Sequence, residues 1–301
     1  MVSPKVVAVV LNYKRRQETV ECVHSLLESS HEPIEIAVVD NDSSDGSVEF
    51  VRSACPNVLV IDSGKNLGFA GGMNLGIRRA LRSGAVYVLV LNSDTLVEKD
   101  SVTKLVHELE KKPNAGVACG TLFYYPDISR VWYAGGSLVY WRASAFSKHM
   151  VPKGGVSTAK VQRVSFIPGC ALMFRASSLI DGGLFDERYF MYEEDAEISA
   201  RFLAHGFELL YVPNAIFYHR LVGETLNPLK IYYGMRNRLL FLRTAPRVID
   251  RVVGTTYFFI VLAVKLIVWR LRKPLFCRAA TIGVVDFFAG RFYEGRGTTV
   301  K

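Results

Sequence analysis

The sequence predicts an α/β protein built on a mostly parallel sheet flanked by helices, and three observations carry that prediction. Apolar runs alternate with helical patterns through the N-terminal third of the chain. The run YVLVL, Tyr87 to Leu91, is continuously apolar, as a parallel-sheet strand buried on both faces must be. That run then stops abruptly at Asn92, Ser93, Asp94 and Thr95. Ligands of open α/β sheets bind beyond the carboxyl ends of the strands, so Asp94 sits where chemistry is expected.

The elements follow in order. VVAVVL, Val6 to Leu11, reads as a first buried strand. Followed by Asn-Tyr-Lys-Arg-Arg, it is too short for a secretory apolar region and lacks a small-residue cleavage site, so no secretion is expected. A helix near Glu18 to Glu28 comes next, then IEIAVV, a short helix after Asp45-Gly46, NVLVI, a helix near Met73 to Arg82, and YVLVL. The order β-α-β-α-β-α-β implies right-handed crossovers within a parallel sheet. From about Pro113 to Phe166 the pattern becomes shorter and mixed, with Tyr124, Tyr125, Trp132, Tyr133, Tyr140 and Trp141 among glycines and serines. This reads as a partly exposed, substrate-facing region, hairpin packing being the ordinary fate of most such rings. Between Phe185 and His219 lie a turn, an acidic cluster, a helix stopped at Gly206, and the strand ELLYV.

A chain of 301 residues, half of them hydrophobic, buries a large core and fits one large domain or two smaller ones. Its five cysteines are odd in number and show no CxxC spacing, so neither a disulfide framework nor a cysteine metal site is indicated, and a reducing compartment is expected. The net charge of +9 is uneven: residues 246–301 carry ten Lys and Arg against Asp250, Asp286 and Glu294. The same tail holds the apolar segment Val252 to Trp269, interrupted by Lys265. About 20 apolar residues are needed to span a bilayer, so this segment is marginal as a span, and a basic, apolar-faced helix lying in the membrane interface suits it better. A core helix with a solvated basic flank is the alternative. No zinc-finger or RRM signature accompanies the basic charge, and nucleic acid is not an expected partner.

Four segments and one histidine could do chemistry. VVDNDSSDGS places Asp40 at a strand's carboxyl end, before Ser44 and Asp45, either of which serves as a helix N-cap. Asp40 can therefore accept a hydrogen bond from a ligand such as a pyrimidine N–H. GKNLGFAGGMNLG reads as a glycine-rich loop entering a helix, permitting close backbone approach and offering free N–H groups to an anion. Its glycine spacing does not match GxGxxG, and it precedes the fourth strand, which disfavours a dinucleotide site. Asn92-Ser93-Asp94 suits a hard divalent cation that also touches phosphates, although a helix cap alone would explain it. In FDERYFMYEEDAEISARF, acids at a helix start complement its dipole, and Glu197 with Arg201 is an i,i+4 pair. The consecutive acids Glu193, Glu194 and Asp195, flanked by aromatics, invite raised pKa values of the kind a general base requires. His219, which closes the strand end AIFYH, could complete a metal or diphosphate site, packing being the commoner role of a lone histidine.

In this order, VVDNDSSDGS, NLGFAGGMNLG, LVLNSDT, PGCALMFR, LFDERYFMYEEDAEISARF, VPNAIFYH and YYGMRNRLLFLR resemble the family 2 glycosyltransferases, particularly the bacterial rhamnosyltransferase-like branch, over roughly residues 5 to 243. The resemblance implies a GT-A fold, with its Rossmann-like sheet, and a C-terminal helical, membrane-associating extension. It divides the chain into a nucleotide-sugar-binding half at 1–112, an acceptor-binding and catalytic half of the same domain at 113–245, and a basic apolar extension at 246–301. It implies a sugar-nucleotide donor, dTDP-rhamnose or a UDP-sugar such as UDP-galactofuranose, a divalent cation (Mg2+ or Mn2+), and inversion at the anomeric carbon. By position, Asp40 would bind the base with Asn12 and Tyr13 lining it, and Asn66, Gly71 and Asn74 would shape the ribose and phosphate side. Asn92-Ser93-Asp94 stands where the family has its DxD motif, leaving Asp94 as the metal carboxylate. Glu194-Asp195 matches the family's Glu-Asp pair, whose aspartate is the catalytic base, and His219 matches a histidine near the diphosphate or metal. The implied acceptor is a lipid-linked glycan, and the implied location is cytoplasmic, peripheral on the inner face of the membrane. A non-catalytic sugar-nucleotide-binding regulator and a glycoside hydrolase with paired carboxylates are the readings from other classes.

Overall fold

The computed structural model of the protein describes residues 3–150, 155–156, 159–220 and 226–297. The N-terminal alternation folds as expected: β1 (Val6–Asn12), α1 (Arg16–Leu27), β2 (Ile34–Asp40), α2 (Ser47–Ala54), β3 (Leu59–Asp62), α3 (Gly68–Arg82) and β4 (Tyr87–Asn92). β1 pairs in parallel with β2 and β4, and β2 with β3. Every side chain of β4 from Tyr87 to Leu91 is fully buried, which explains the unbroken apolar run.

α3 departs from the expectation. It begins at Gly68, not near Met73, so most of the glycine-rich segment is helix rather than loop. Glycine is a poor helix former, and on propensity alone the stretch reads as a loop. Packing decides otherwise: a Cβ on Gly72 would lie 2.5 Å from Leu11 Cδ1, and one on Gly76 2.2 Å from Val9 Cγ1. These glycines let the helix lie close on β1.

The remainder of the sheet is built from β5 (Thr95–Val97), β6 (Ala115–Tyr124), β7 (Val131–Tyr133), β10 (Gln162–Val164), β11 (Ala171–Arg175) and β12 (Glu208–His219), with β8 (Gly136–Val139) and β9 (Ser144–Ser147) forming a separate hairpin. Strand order is β10-β12-β6-β11-β4-β1-β2-β3, with β5 on β12 and β7 on β6. β11 runs antiparallel to both neighbours, Ala171 facing Leu91 of β4 and Met173 facing Ala118 of β6. It thus closes the gap between the two parallel groups. In the mixed stretch 113–166, residues 151–154 and 157–158 lie outside those described. The strand read as ELLYV runs on to His219, with a register shift between Val212 and Ile216 that absorbs Pro213.

α4 (Ser101–Lys111), α5 (Ala176–Gly182) and α6 (Glu194–Ala204) cover the sheet. Gly206 ends the α6 turn with φ of +84°, as a C-terminal stop should. Beyond the sheet come α7 (Pro228–Leu242), α8 (Val248–Arg272) and α9 (Pro274–Phe288). α8 is longer than the apolar segment that predicts it: its 25 residues extend about 37 Å, enough to cross a hydrocarbon core of about 30 Å. Length is therefore not what limits it. Only Gly254, Phe258 and Leu262 are buried along it, while Val252, Ile260, Ile267 and Leu271 are exposed.

Candidate active site

The carboxyl ends of β1, β4 and β12 and the start of α6 surround a cavity of ≈ 750 Å³, within the range of small-molecule sites. Tyr13, Asn92, Ser93, Asp94, Glu194, Asp195 and His219 all line it. Residues 94 and 219 are brought together by strand order, and residue 195 joins them from the first turn of α6.

Asp94 is held on both oxygens. Oδ1 lies 3.1 Å from His219 Nε2, and Oδ2 accepts from Arg15 Nη1 at 3.1 Å. The His219 ring lies edge-on to Trp132, with centroids 5.0 Å apart, and its Nδ1 is buried without a hydrogen-bond partner among the described residues. A separation of 3.1 Å between Oδ1 and Nε2 suits adjacent ligands on an octahedral cation with bonds of about 2.1 Å. Among the described residues no group of three His, Cys, Asp or Glu side chains could hold a metal. The pair can therefore hold a cation only with further oxygens from phosphate or water, the way Mg²⁺ is commonly bound.

Asp195 sits in the first turn of α6, where its charge meets the helix dipole favourably. Its Oδ2 accepts from the Gly169 N–H at 3.2 Å and its Oδ1 from the Ala196 N–H at 2.8 Å. Burial raises its pKa and these backbone donors oppose the rise. Burial also raises the pKa of Glu194, well above the carboxylate range, with the neighbouring Asp195 charge adding to the effect. Glu194 Oε2 is buried without a partner among the described residues. Glu193 is raised by burial as well, with Arg238 at 3.2 Å holding it down. Glu197 is bidentate to Arg201, whose guanidinium also donates to Gly182 and Leu184 carbonyls, so this pair braces α6 against the turn before it.

The raised Glu194 value has a consequence for stability. A carboxyl whose pKa is higher folded than unfolded binds the proton preferentially in the folded state. Its stabilising contribution is full below the unfolded value and is lost as pH rises through the folded one. Glu194→Gln is accordingly expected to stabilise the protein by on the order of 1 kcal/mol near pH 7 and to change little near pH 4, as read from denaturant midpoints at the two pH values. Equal midpoints at neutral pH would contradict it.

Other expected site residues stand farther back. Asp40 is buried and does not line the cavity: Oδ2 accepts from Asn12 Nδ2 and Ser43 Oγ, both at 2.6 Å, and Oδ1 from the Ser43 N–H at 2.9 Å. Asn12 is likewise buried, its Oδ1 accepting from the Arg15 N–H and Thr19 Oγ1. Asn12 immediately precedes Tyr13, which is exposed and lines the cavity. Asn66 Oδ1 accepts from Asn41 Nδ2 and the Gly68 N–H, ordering the turn before α3. Asn74 donates to the Phe185 carbonyl and Glu187 Oε1 and accepts from the Phe185 N–H, so its whole amide is spent on the 185–187 turn. Gly71 is buried within α3. None of Asn66, Gly71 and Asn74 lines the cavity.

Several wall residues escape sequence reasoning. Arg15 is signalled only by its place just past the end of β1, and Lys230 sits in the first turn of a helix that carries no motif of its own there. Gly169 and Cys170, just before β11, belong to the segment PGCALMFR that carries the resemblance, but its place between β4 and β6, which brings them to the cavity, no local pattern announces. The segment 189–193 leading to Asp195 is strained: Phe190, Tyr192 and Glu193 have φ of 64°, 67° and 69°. It is clamped from α7, where Asn237 Nδ2 lies 2.8 Å from the carbonyls of Tyr189, Met191 and Tyr192. Arg236, fully buried, donates to the carbonyls of Arg188 and Tyr189.

Comparison with known proteins agrees with this architecture. Residues 7–183 match the profile of glycosyl transferase family 2. The chain is 30% identical over 219 residues to the N-acetylglucosaminyl-diphospho-decaprenol L-rhamnosyltransferase of Mycobacterium tuberculosis H37Rv, covering 67% of this chain and 71% of that one. Among solved structures it is similar to S. aureus TarS 1-349 in complex with UDP-GlcNAc (TM-score 0.62, 14% identity, 94% of this chain and 81% of that one). It is also similar to the mannosyltransferase PcManGT of Pyrobaculum calidifontis in complex with GDP-Man and Mn2+ (TM-score 0.60, 15% identity, 96% and 76%). At these identities the solved structures speak to fold, and the fold they share with this chain is GT-A. With more than half its length matched by the family profile and a relative aligned over two thirds of both chains, the chain belongs to glycosyl transferase family 2.

Proposed function

We propose that this glycosyltransferase inverts the anomeric centre of its donor and moves L-rhamnose from dTDP-rhamnose onto a hydroxyl of a lipid-linked glycan at the membrane surface. The observation that carries the reading is that Asp195 and the Asp94–His219 pair line one cavity of sugar-nucleotide size. The sugar and acceptor are taken by likeness from the mycobacterial relative, a rhamnosyltransferase named for a diphospho-decaprenol-linked N-acetylglucosamine.

In this reading Asp195 takes the proton of the acceptor hydroxyl as that oxygen bonds to the anomeric carbon, and the bond from that carbon to the diphosphate oxygen breaks on the opposite face. The Gly169 and Ala196 N–H groups fix the carboxylate's orientation while leaving lone pairs for the proton. Arg15 stands where a cation offsets charge growing on the leaving diphosphate. Asp94 and His219 would hold the divalent cation, which when bound supplies further neutralisation of that leaving group. Asp40, through Asn12 and Ser43, would shape the base subsite beneath Tyr13, and the buried Asn66, Gly71 and Asn74 would act there by holding α3 and its preceding turn.

A donor screen that follows nucleoside diphosphate release tests this. Release is expected with dTDP-rhamnose and a lipid-linked glycan, to stop with EDTA, and to return with Mg2+ or Mn2+. Release from a UDP-sugar alone would reassign the donor, and binding without turnover would favour a regulator.

A further inference from the structure

The backbone leading to Asp195 is held from the far end of the chain. Residues 291–297, RFYEGRG, follow α9 and lie well beyond the residues 7–183 that the family profile matches. They bond both to α7 and to the turn at 188–189. The Tyr293 N–H donates to the Arg188 carbonyl at 3.0 Å, and the Tyr293 carbonyl accepts from Arg236 Nη1 at 2.7 Å. The Glu294 carbonyl accepts from the Tyr233 hydroxyl at 2.9 Å, and the Arg296 N–H donates to the Tyr232 hydroxyl, also at 2.9 Å. Two glycines permit this approach. A Cβ on Gly295 would overlap the Tyr232 hydroxyl and stand 3.0 Å from Arg236 Nη1, and one on Gly297 would overlap the Tyr233 hydroxyl. Asp286, near the end of α9, ties the segment at its root: its fully buried carboxylate accepts from the Tyr232 hydroxyl at 2.7 Å and from Arg296 Nε at 2.8 Å.

The α7 side chains pass that hold onward. A fully buried guanidinium such as Arg236 needs its donors paired. Its Nη2 donates to the Arg188 and Tyr189 carbonyls, and its Nε to Asn237 Oδ1 at 2.9 Å. That last bond orients the Asn237 amide, leaving Nδ2 to face the carbonyls of Tyr189, Met191 and Tyr192. Tyr233 stacks on Phe190, with centroids 5.4 Å apart and planes 19° from parallel. Phe190, Tyr192 and Glu193 all have positive φ, and strained backbone of this kind persists only where its surroundings over-determine it.

We infer that residues 286–297 are a strap that positions the catalytic base. Through Tyr232, Tyr233 and Arg236 it fixes the backbone of 188–193, and with it the first turn of α6 that carries Asp195. Arg236, Tyr232 and Asp286 do not line the cavity, so they are positioning residues. The inference rests on the transferase reading above and deepens it by making the end of the C-terminal extension part of the support of the active site.

The test uses the full chain. Gly295→Ala adds one methyl group against Tyr232 and removes no polar group. Gly84→Ala is its control, because Gly84 also has positive φ (+79°, against +54° at Gly295) but open space around it, so the substitution carries the backbone strain without the contact. Gly295→Ala is expected to lower kcat about tenfold with both KM values within about twofold, while Gly84→Ala keeps its kcat. Hydrogen–deuterium exchange should quicken about tenfold in the peptide spanning 187–197 of Gly295→Ala and stay at the wild-type rate in Gly84→Ala. Tyr232→Phe deletes the hydroxyl that the new methyl group meets, and should lower kcat about threefold. The double variant Tyr232→Phe/Gly295→Ala should recover to that level.

Losses that multiply in the double variant, or faster exchange at 187–197 with kcat intact, would overturn the positioning role. An equal loss of kcat in Gly84→Ala would reduce the effect to lowered stability and also overturn it. Should Gly295→Ala fail to fold, Tyr232→Phe carries the test through the same split of kcat from KM and the same peptide. If the wild type transfers nothing from any donor, the transferase reading fails, and the exchange rates alone decide whether the strap fixes the 188–193 backbone. Unchanged kcat and exchange in every variant of a working enzyme would end the strap and leave the transferase reading standing.

Discussion

Asp195→Asn is expected to lower turnover by about a thousandfold while leaving donor binding within about twofold. The amide is isosteric and keeps one acceptor oxygen, but it cannot accept a proton from the attacking hydroxyl. A structural penalty accompanies the change. The two carboxylate oxygens accept from two backbone donors, Gly169 and Ala196, and an amide can serve only one of them, at a cost of about 1 kcal/mol. Donor affinity measured by titration calorimetry alongside the rate separates the two effects. In the wild type the rising acid limb of kcat/KM should lie above the ordinary aspartate value of 3.8, because burial outweighs the two donors. Turnover retained by the variant would move the base to Glu194 or Glu193.

Asn237→Ala is expected to be nearly as damaging although its side chain does not line the cavity. Its two amide hydrogens are shared among three carbonyls of a segment that carries three non-glycine residues at positive φ. The Met191 N–H donates to the Tyr189 carbonyl at 2.7 Å around Phe190, a γ-turn of the strained hand. Such conformations cost about 1–3 kcal/mol each and persist only where surrounding contacts over-determine them. Removing the clamp should destabilise the fold by about 3 kcal/mol, by leaving carbonyls unpaired, and lower kcat about a hundredfold by letting Asp195 drift. Circular dichroism in denaturant and steady-state kinetics are the measurements. Stability lost with kcat intact would mean that Asn237 supports the fold without positioning the base.

The alternating first half of the sheet was readable because hydrophobic period and chain order both encode it. α3 starts earlier than its local sequence suggests because four glycines between 68 and 76 argue against helix, and the close contacts that require Gly72 and Gly76, with Leu11 and Val9, are not local. β11 is an apolar run like any other, and nothing within ALMFR states its direction or its neighbours. Asp94, Asp195 and His219 were legible because each stands at the end of an element. Asp40 was placed on the correct strand end, but a single sequence does not say that Ser43 and Asn12 occupy both its oxygens. Arg15 and Lys230 reach the cavity through tertiary placement, and arginine and lysine at such positions carry no distinguishing pattern, whereas Trp132 stands in the aromatic stretch expected to face substrate.

The antiparallel insertion of β11 also bears on how this protein could be divided. β4 meets residues 171–175 on one side and β1 on the other, so a fragment ending near residue 112 would strip β4 of its partner and bare an apolar ladder. Such an edge recruits other chains. Grafting a new N-terminal segment onto this scaffold would therefore have to carry β11 with it, and chimeras cut near residue 112 should precipitate.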